Sequence, residues 1–273
     1  MRTLDGKVVA ITGAGSGIGR ALAVHSAALG AVLALSDWDE AGLDETARLV
    51  GDRTDRVVRT DRLDVRDRQA VQDYADSVRG ELGRVNVIVN NAGVTLLGGF
   101  EEVDLEDFRW VVDVDFWGVV HGTKAFLPHL IESGDGHVVN ISSLFGLMGM
   151  PGQTAYNSAK FAVRGFTEAL RQEMLVDRRP VQVTCVHPGG VRTDIVRNAR
   201  TTASQDRAEA ARRFDTSLAR TTPERAAEII AAGVLANKPR VLVGTDAKVL
   251  DLLVRLVGAR YQRVGALLSR RLR

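Results

Sequence analysis

The sequence has few of the features that would place it outside the ordinary globular proteins. Its 273 residues include a single cysteine, Cys185, which excludes an internal disulfide, and the apolar run around it favours a small buried residue over a catalytic thiol. No apolar segment reaches membrane-spanning length, and the first residues lack the apolar region of a secretory signal. We therefore expect a cytoplasmic protein.

The chain also lacks an excess of charge of one sign. Its 36 basic and 34 acidic residues give a net charge of +2, so no global field attracts nucleic acid, and we expect none as a partner. Local charge is less even, because residues 252–273 contain arginines and no acidic residue. These arginines are Arg255, Arg260, Arg263, Arg270, Arg271 and Arg273.

The same tail predicts an amphipathic helix, because apolar residues recur among its arginines. They are Val249, Leu250, Leu253, Val254, Leu256 and Val257. Packing on its own or a neighbouring subunit is the first interpretation, and contact with an anionic membrane surface is the second.

Seven apolar segments of strand length alternate with amphipathic segments of helix length. The strands are predicted at 7–12, 31–36, 56–63, 85–90, 136–142, 181–187 and 240–243. The helices are predicted at 17–30, 40–50, 66–82, 105–133, 154–177 and 223–236. This alternation predicts an α/β fold, a single doubly wound domain whose seven-stranded parallel sheet is covered by helices on both faces.

The predicted domain spans residues 1–245, and residues 246–273 form a cationic C-terminal extension. The one long interruption is the polar stretch at 190–222, which follows the sixth strand. Ligands of such sheets bind at the carboxyl ends of the strands, so we interpret this stretch as a binding lid.

A glycine-rich turn connects the first strand to the first helix. It reads Thr-Gly-Ala-Gly-Ser-Gly-Ile-Gly from Thr12 to Gly19, with Gly13, Gly17 and Gly19 in a T-G-x-x-x-G-x-G pattern. Glycine allows tight turns and close approach of backbone amides to a pyrophosphate, which a helix N-terminus also attracts. The position between strand and helix favours a dinucleotide site over a plain turn.

Three further motifs follow in order. Asn90-Asn91-Ala92-Gly93 follows the fourth strand, Tyr156-Asn157-Ser158-Ala159-Lys160 opens a helix, and Pro188-Gly189 follows the sixth strand. With the glycine turn, they resemble the short-chain dehydrogenase/reductase family over most of residues 5–245. The resemblance implies a Rossmann-type fold, a nicotinamide cofactor and no metal.

Asp37 ends the second strand, twenty residues beyond Gly17, where a carboxylate can accept hydrogen bonds from the adenosine ribose of NAD. The alternative role is a helix N-cap for Asp37 or Asp39. Relatives that prefer NADP commonly carry a basic residue at the position of Ser16 or just after the second strand, where this chain has Trp38. We therefore expect NAD, with Arg20 or Arg53 as candidate compensators if NADP is preferred.

The resemblance implies a set of cofactor contacts along the chain. Asp64 and Val65 should approach the adenine, although Asp64 is alternatively a loop-capping residue. The complete expected set is Gly13, Ser16, Gly17, Ile18, Gly19, Asp37, Asp64, Val65, Asn91, Ala92, Gly93, Tyr156, Lys160, Pro188, Gly189, Val191 and Thr193.

Tyr156 and Lys160 lie four residues apart, so one helix face presents both. A phenol with its ordinary pKa near 10 exchanges protons poorly at neutral pH, and nearby ammonium and nicotinamide charges should lower that pKa. In the family, the lysine also holds the nicotinamide ribose. The family's spacing places the catalytic serine at Ser143, thirteen residues before Tyr156, with Ser142 as the alternative.

Asp115 departs from the family, which usually has asparagine there to support a bound water; Asp113 is less well aligned. The Asp115 carboxylate could attract Lys160 or stay solvated. We keep it as a fourth catalytic residue.

The expected reaction is hydride transfer between NAD and a lipophilic secondary alcohol or ketone. Leu144, Phe145, Leu147, Met148 and Met150 indicate an apolar pocket wall or core packing, with Gln153 as a polar contact. The alternatives are a noncatalytic NAD-binding regulator and a membrane-peripheral interaction protein. We expect a homo-oligomer, a tetramer or alternatively a dimer, because the helices at 105–133 and 154–177 resemble those that pair between subunits in the family.

Overall fold

Seven parallel strands form the central sheet of this computed structural model, which describes residues 1–271, without the side chains of Val264 and 268–271. Leu272 and Arg273 lie outside the described residues. The strands are β1 (Val8–Thr12), β2 (Val32–Asp37), β3 (Val58–Arg62), β4 (Val87–Asn90), β5 (Leu96–Leu97), β6 (Gly136–Ile141), β7 (Val181–Pro188), β8 (Arg200–Thr201) and β9 (Arg240–Val243). The sheet order is β3-β2-β1-β4-β6-β7-β9, and β5 pairs with β8 separately.

Helices connect the strands and cover both faces of the sheet. They are α1 (Gly17–Ala28), α2 (Glu40–Gly51), α3 (Arg68–Leu82), α4 (Leu105–Val112), α5 (Gly118–Glu132), α6 (Thr154–Val176), α7 (Arg207–Arg213), α8 (Pro223–Leu235), α9 (Thr245–Val257) and α10 (Tyr261–Arg271). No helix of the described part combines the length and apolarity needed to cross a membrane.

The sheet is buried on both faces because successive residues of its strands point to opposite sides. Val9 and Ile11 of β1 pack in one apolar cluster with residues of α1, α2 and α8. Val8 and Ala10 pack in a second cluster with residues of α3, α5 and α6. The predicted doubly wound α/β fold is confirmed.

The helix predicted at 105–133 is helical from residue 105 to residue 132, but an unpredicted π-helical turn at Asp113–Trp117 divides it into α4 and α5. A π turn adds a residue to the helical repeat and changes the direction in which the following side chains point. Asp115 lies in this turn and is completely buried. Apolar periodicity gave no sign of the interruption.

The polar stretch at 190–222 is more ordered than a plain loop. It contains β8, α7 and a π-helical turn at Phe214–Leu218, and a bridge between Val191 and Thr221 closes its base. Pairing of Leu96 with Arg200 attaches it to the segment after β4. The Arg200 guanidinium also lies 3.9 Å from the ring centre of Trp110 and 2.6 Å from Asp107. We call residues 190–222 the lid.

The C-terminal tail forms two helices, with α9 beginning at the boundary predicted between 245 and 246. Leu250 and Val254 on the inner side of α9 pack with Leu144, Leu147 and Met148 of the same chain. The division into a domain and an extension remains a prediction. Arg270, Arg271 and Arg273, which belong to the predicted cationic tail, have no described side chains.

Candidate active site

The glycine turn between β1 and α1 forms a cradle for an anionic group. Gly13 and Gly17 have positive φ values, +65° and +51°, which side-chain-bearing L-residues rarely adopt. A Cβ on Gly17 would lie 2.9 Å from the Thr193 side chain of the lid. Ser16 at the N-cap makes no side-chain cap and the first turn has no acidic residue, so this helix end suits a pyrophosphate.

The segment after β4 braces this turn. The Thr12 hydroxyl accepts hydrogen bonds from the backbone N–H groups of Asn91 (3.0 Å) and Ala92 (3.2 Å). The Asn91 amide donates to the carbonyls of Thr12 and Gly13, both at 3.0 Å. Asn91 and Ala92 thus lie at the turn as predicted, whereas the hydroxyl of Thr12 was not foreseen.

Asp37 faces the same turn from the end of β2. Its carboxylate accepts from the N–H of Gly15 at 2.8 Å and from that of Asp39 at 3.0 Å. Asp39, not Asp37, occupies the N-cap of α2, and it makes no side-chain cap. Asp37 is therefore held beside the glycine turn, and neither aspartate caps α2 through its side chain.

Arg20 is engaged in bracing the turn. Its guanidinium donates to the Thr46 hydroxyl at 3.0 Å, to the Gly42 carbonyl at 3.2 Å and to the Gly15 carbonyl. Arg53 lines a cleft beside α1. Because its guanidinium is already bonded, Arg20 is poorly placed to bind the 2′-phosphate of NADP.

Asp64 follows β3 and pairs with Arg66 at 2.6 Å, in line with the loop-capping alternative. The bonded guanidinium of Arg66 holds the pKa of Asp64 below its usual range. Val65 is buried against Gly118, and its carbonyl lies 3.0 Å from Nδ1 of His121. A role for Asp64 and Val65 at the adenine stays a prediction.

Tyr156, Lys160 and Ser143 meet at the carboxyl end of β6. The Lys160 Nζ lies 5.5 Å from the centre of the Tyr156 ring, and the Ser143 hydroxyl, which accepts from the Phe145 N–H at 3.1 Å, acts to lower the pKa of Tyr156. Ser142 points elsewhere, since its hydroxyl donates to the Lys160 carbonyl at 2.8 Å and thereby fastens α6 to β6. Of the two serines, the geometry favours Ser143 as the substrate-facing hydroxyl.

Asp115 forms a buried ion pair with Lys160. Its Oδ2 lies 3.1 Å from Lys160 Nζ, and its Oδ1 accepts from the Val94 N–H at 2.7 Å. Lys160 Nζ also donates to the Ile141 carbonyl at 3.3 Å. The alternative in which the Asp115 carboxylate stays solvated is therefore wrong.

The charges around Tyr156 act in opposite directions. Burial raises the pKa of the Tyr156 phenol; Lys160 and Ser143 lower it, Asp115 raises it further, and the result lies above the ordinary value. Lys160 thus acts in the expected direction but does not outweigh burial in the protein alone, and the effect of the nicotinamide charge stays a prediction. Burial lowers the pKa of Lys160, but Asp115 and the Tyr156 phenol, with a further contribution from Cys185, together outweigh this effect, so the pKa of Lys160 is raised.

A family model described as short chain dehydrogenase matches residues 7–204. The chain belongs to this family. The oxidoreductase named SadH of Mycobacterium tuberculosis is 55% identical over 97% of this chain and 96% of its own. A short-chain dehydrogenase from Burkholderia phymatum, solved with NAD, is 30% identical, with a TM-score of 0.86 over 93% of this chain and 95% of its own. Levodione reductase is 29% identical, with a TM-score of 0.77 over 88% of this chain and 95% of its own.

As in a short-chain dehydrogenase, a turn after β7 leads into the lid. The Asp246 carboxylate accepts from the Gly190 N–H at 2.7 Å, and a Cβ on Gly189 would collide with it. Val191 is buried in the bridge to Thr221. Asp246 thus orders the Pro188-Gly189 turn, a role that no sequence pattern indicated.

Only part of the predicted apolar pocket wall faces this dehydrogenase site. Leu144, Leu147 and Met148 are buried beneath α9, so core packing is the correct reading for these three. Phe145 is half-buried and meets Tyr156 edge to face, with ring centres 6.2 Å apart.

Asn157 shapes the loop that carries Phe145 and Met150. Its amide donates to the carbonyls of Phe145 (2.8 Å) and Met148 (2.9 Å), and its Oδ1 accepts from the Met150 N–H at 3.1 Å. No sequence pattern indicated this role, although Asn157 directly follows Tyr156. Gln153 sits at the N-cap of α6 without a side-chain cap, so its polar contact stays a prediction.

Proposed function

We propose that this short-chain dehydrogenase transfers hydride between NAD and a lipophilic secondary alcohol or ketone. The observation that carries the proposal is the meeting of Ser143, Tyr156 and Lys160 at the carboxyl end of β6. A half-buried tyrosine and a buried lysine beside a serine hydroxyl supply an acid–base group, a tuning charge and a hydrogen bond for one substrate oxygen.

The residues present fit a dinucleotide. The glycine turn and the uncapped start of α1 would hold the pyrophosphate, and Asp37 would accept hydrogen bonds from the adenosine ribose. When bound, the nicotinamide ring supplies the hydride chemistry. The carboxylate of Asp37 repels a 2′-phosphate, which favours NAD over NADP, and the NAD complex of the Burkholderia phymatum relative supports the same choice.

The side chains divide the proton chemistry. Tyr156 exchanges a proton with the substrate oxygen, and Ser143 holds that oxygen by a hydrogen bond. The Lys160 ammonium lowers the pKa of Tyr156 against the effect of burial, and Asp115 raises the pKa of Lys160. Burial of these groups excludes water and strengthens their electrostatic interactions.

The substrate class rests on the walls of the site. Phe145 contacts Tyr156 and Met150 lies on the same loop, so an apolar group beside the reacting carbon would be buried there. A relative that bears the name of a ketone reductase, levodione reductase, supports the assignment to alcohols and ketones.

The test is turnover of a panel of secondary alcohols and ketones with NAD(H) and with NADP(H). We expect activity that increases with substrate apolarity and a higher kcat/KM for NAD. Tyr156→Phe should lower kcat by at least about 100-fold while NAD still binds, because only the proton-transfer hydroxyl is lost. Tyr74→Phe, a buried tyrosine of α3, is the matched control and should remain active.

An enzyme inactive towards the whole panel although it binds NAD would support the regulator instead. Near-normal turnover by Tyr156→Phe would remove the role given to its hydroxyl. A preference for NADP would show that the charge of Asp37 does not decide cofactor choice.

A further inference from the structure

Helix α9 is apolar on two opposite faces, and its own chain covers only one of them. On the inner face, Leu250 and Val254 pack with the segment at 144–148, and Tyr261 of α10 accepts a hydrogen bond from the Gly149 N–H at 2.8 Å. This face is anchored. The outer face carries Val249, Leu252, Leu253 and Leu256, and the exposed fractions of Leu252 and Leu256 are 57% and 76%.

These four residues form one continuous stripe, because their spacing of three and four residues follows the helical repeat. An apolar stripe of this kind on a surface helix marks a contact with another molecule or with lipid. Charge decides between these occupants.

Basic residues accompany the stripe. Lys248 and Arg255 lie on α9 itself, Arg260 and Arg263 follow it in the chain, and all four are exposed. The acidic residues of the tail, Asp246 and Asp251, are turned inward: Asp246 accepts from Gly190, and Asp251 pairs with Arg240 and Arg255. The exposed charge of this part of the tail is therefore mainly positive.

A second copy placed symmetrically on this face would bring two sets of these basic residues together, so like charges oppose that contact. An anionic lipid surface satisfies both features, since the leucines enter the acyl boundary while the basic side chains meet the headgroups. We propose that the outer face of α9 docks the protein on anionic membrane surfaces. This inference is independent of the proposed reaction.

The docking helix also contacts the candidate substrate site. Its inner face and Tyr261 hold the segment at 144–149, which carries Phe145 beside Tyr156. Docking through α9 would therefore hold the loop of the substrate site close to the membrane, with α9 between the loop and the lipid.

The test is flotation of the full chain with vesicles of phosphatidylcholine containing half phosphatidylglycerol, and with vesicles of phosphatidylcholine alone. We expect binding to the anionic vesicles only, and loss of binding at high salt. Leu252→Glu/Leu256→Glu should weaken binding at least tenfold, and Arg260→Gln/Arg263→Gln about 20-fold. Because all four side chains are exposed, the variants should keep wild-type thermal stability.

Matched controls lie near the opposite edge of the sheet. Trp38→Glu/Val57→Glu replaces two exposed apolar residues, and Arg62→Gln/Arg68→Gln removes two exposed charges. Both should bind vesicles like the wild type. Equal binding by the α9 variants and the wild type, or no binding by the wild type, would overturn the proposal. If Leu252→Glu/Leu256→Glu instead lowers the mass of the protein in lipid-free sedimentation, a second copy covers the face.

Discussion

Asp115 gives this dehydrogenase a buried carboxylate next to Lys160, its proposed catalytic lysine. The pair with Lys160 is shielded from solvent, so each charge depends on the other and on the Val94 N–H and Ile141 carbonyl for compensation. An asparagine would keep a hydrogen-bond acceptor for Val94 but remove the negative charge. Replacing the Asp115 carboxylate by an asparagine amide should therefore change the pKa of Tyr156 more than it changes the fold.

Asp115→Asn should shift the pH dependence of alcohol oxidation towards acid. Oxidation requires Tyr156 as a base, so its rate rises with pH through the pKa of the phenol. The Asp115 carboxylate raises that pKa, and its removal lowers it while Lys160 stays charged. The maximal rate should change by less than roughly tenfold, about 1.4 kcal/mol of barrier.

The measurement is kcat against pH for both proteins in the oxidative direction. An alkaline or unchanged midpoint would contradict the prediction and would mean that Lys160 loses its proton together with its partner. Turnover only in Asp115→Asn would favour the regulator.

His187 predicts a loss of stability in acid. The ring is fully buried, and its Nδ1 lies 3.0 Å from the Ser143 carbonyl, to which the neutral imidazole donates. Burial lowers the pKa of His187 to about 4, whereas an unfolded histidine titrates near 6.5. Below pH 6.5 the histidine is therefore protonated in the unfolded chain but still neutral in the folded state. The free energy of unfolding falls as the pH decreases towards 4.

Between pH 7 and pH 5, His187 should account for about 2 kcal/mol of the loss in unfolding free energy. Urea unfolding at both pH values should show a smaller loss for His187→Gln than for the wild type. His25→Gln, on α1, is the control and should lose as much stability as the wild type. Equal losses for His187→Gln and wild type would contradict the assignment.

At the scale of elements, the sequence predicts what depends on periodicity and fixed spacing. Strand and helix positions follow from runs of apolar residues, and the glycine turn follows from its place between a strand and a helix. Ser143 followed from its distance to Tyr156. These patterns lie within short stretches of sequence, so they can be recognised without knowledge of the tertiary contacts.

Long-range polar contacts were not predictable in the same way. Asp246 meets Gly190 across 56 residues, and Arg200 reaches Asp107 across 93. Nothing in the neighbouring sequence distinguishes these residues from solvated surface charges. The π turn around Asp115 was missed for a related reason. Asp115 contacts Lys160 and the Val94 N–H, which are distant in sequence, and the spacing of apolar residues gives no sign of these contacts.

The pairing of β5 with β8 predicts that Gly98 controls the lid. A Cβ on Gly98 would collide with the Thr202 side chain, whereas the neighbouring Gly99 has open space around its Cβ position. Gly98→Ala should loosen the lid, raise KM several-fold and speed proteolysis within 190–222. Gly99→Ala is the matched control and should behave like the wild type.

Adding Thr202→Gly to Gly98→Ala removes the colliding side chain but leaves the positive φ of residue 98, +157°, which alanine adopts poorly, so it should restore the KM only in part. Unchanged KM and proteolysis in Gly98→Ala would show that the lid does not depend on this contact.

At the scale of the whole molecule, the parallel sheet gathers residues from distant parts of the chain. Thr12 and Asp37 end β1 and β2, and Asn91 and Ser143 lie just beyond the carboxyl ends of β4 and β6. Parallel strands share that edge, and the crossover helices on both faces keep it open for a ligand. Therefore one edge carries both the cofactor turn and the proton-transfer residues.

The remaining prediction is assembly into a homotetramer, or alternatively a dimer, through the helices α4 to α6. The π turn packs against α6, and exposed apolar side chains lie on both, Trp117 on the turn and Phe161 on α6. Large exposed aromatic residues are enriched at interfaces between subunits. Light scattering should give a mass near four times 29.5 kDa.

Trp117→Glu/Phe161→Glu should lower that mass, because carboxylates resist burial between subunits. Trp38→Glu, at a more exposed aromatic position beyond β2, is the control and should leave the mass unchanged. The α9 variant Leu252→Glu/Leu256→Glu should also keep the wild-type mass, since its face is assigned to lipid. A monomer at all working concentrations would reject assembly, and a tetramer insensitive to Trp117→Glu/Phe161→Glu would place the interface elsewhere.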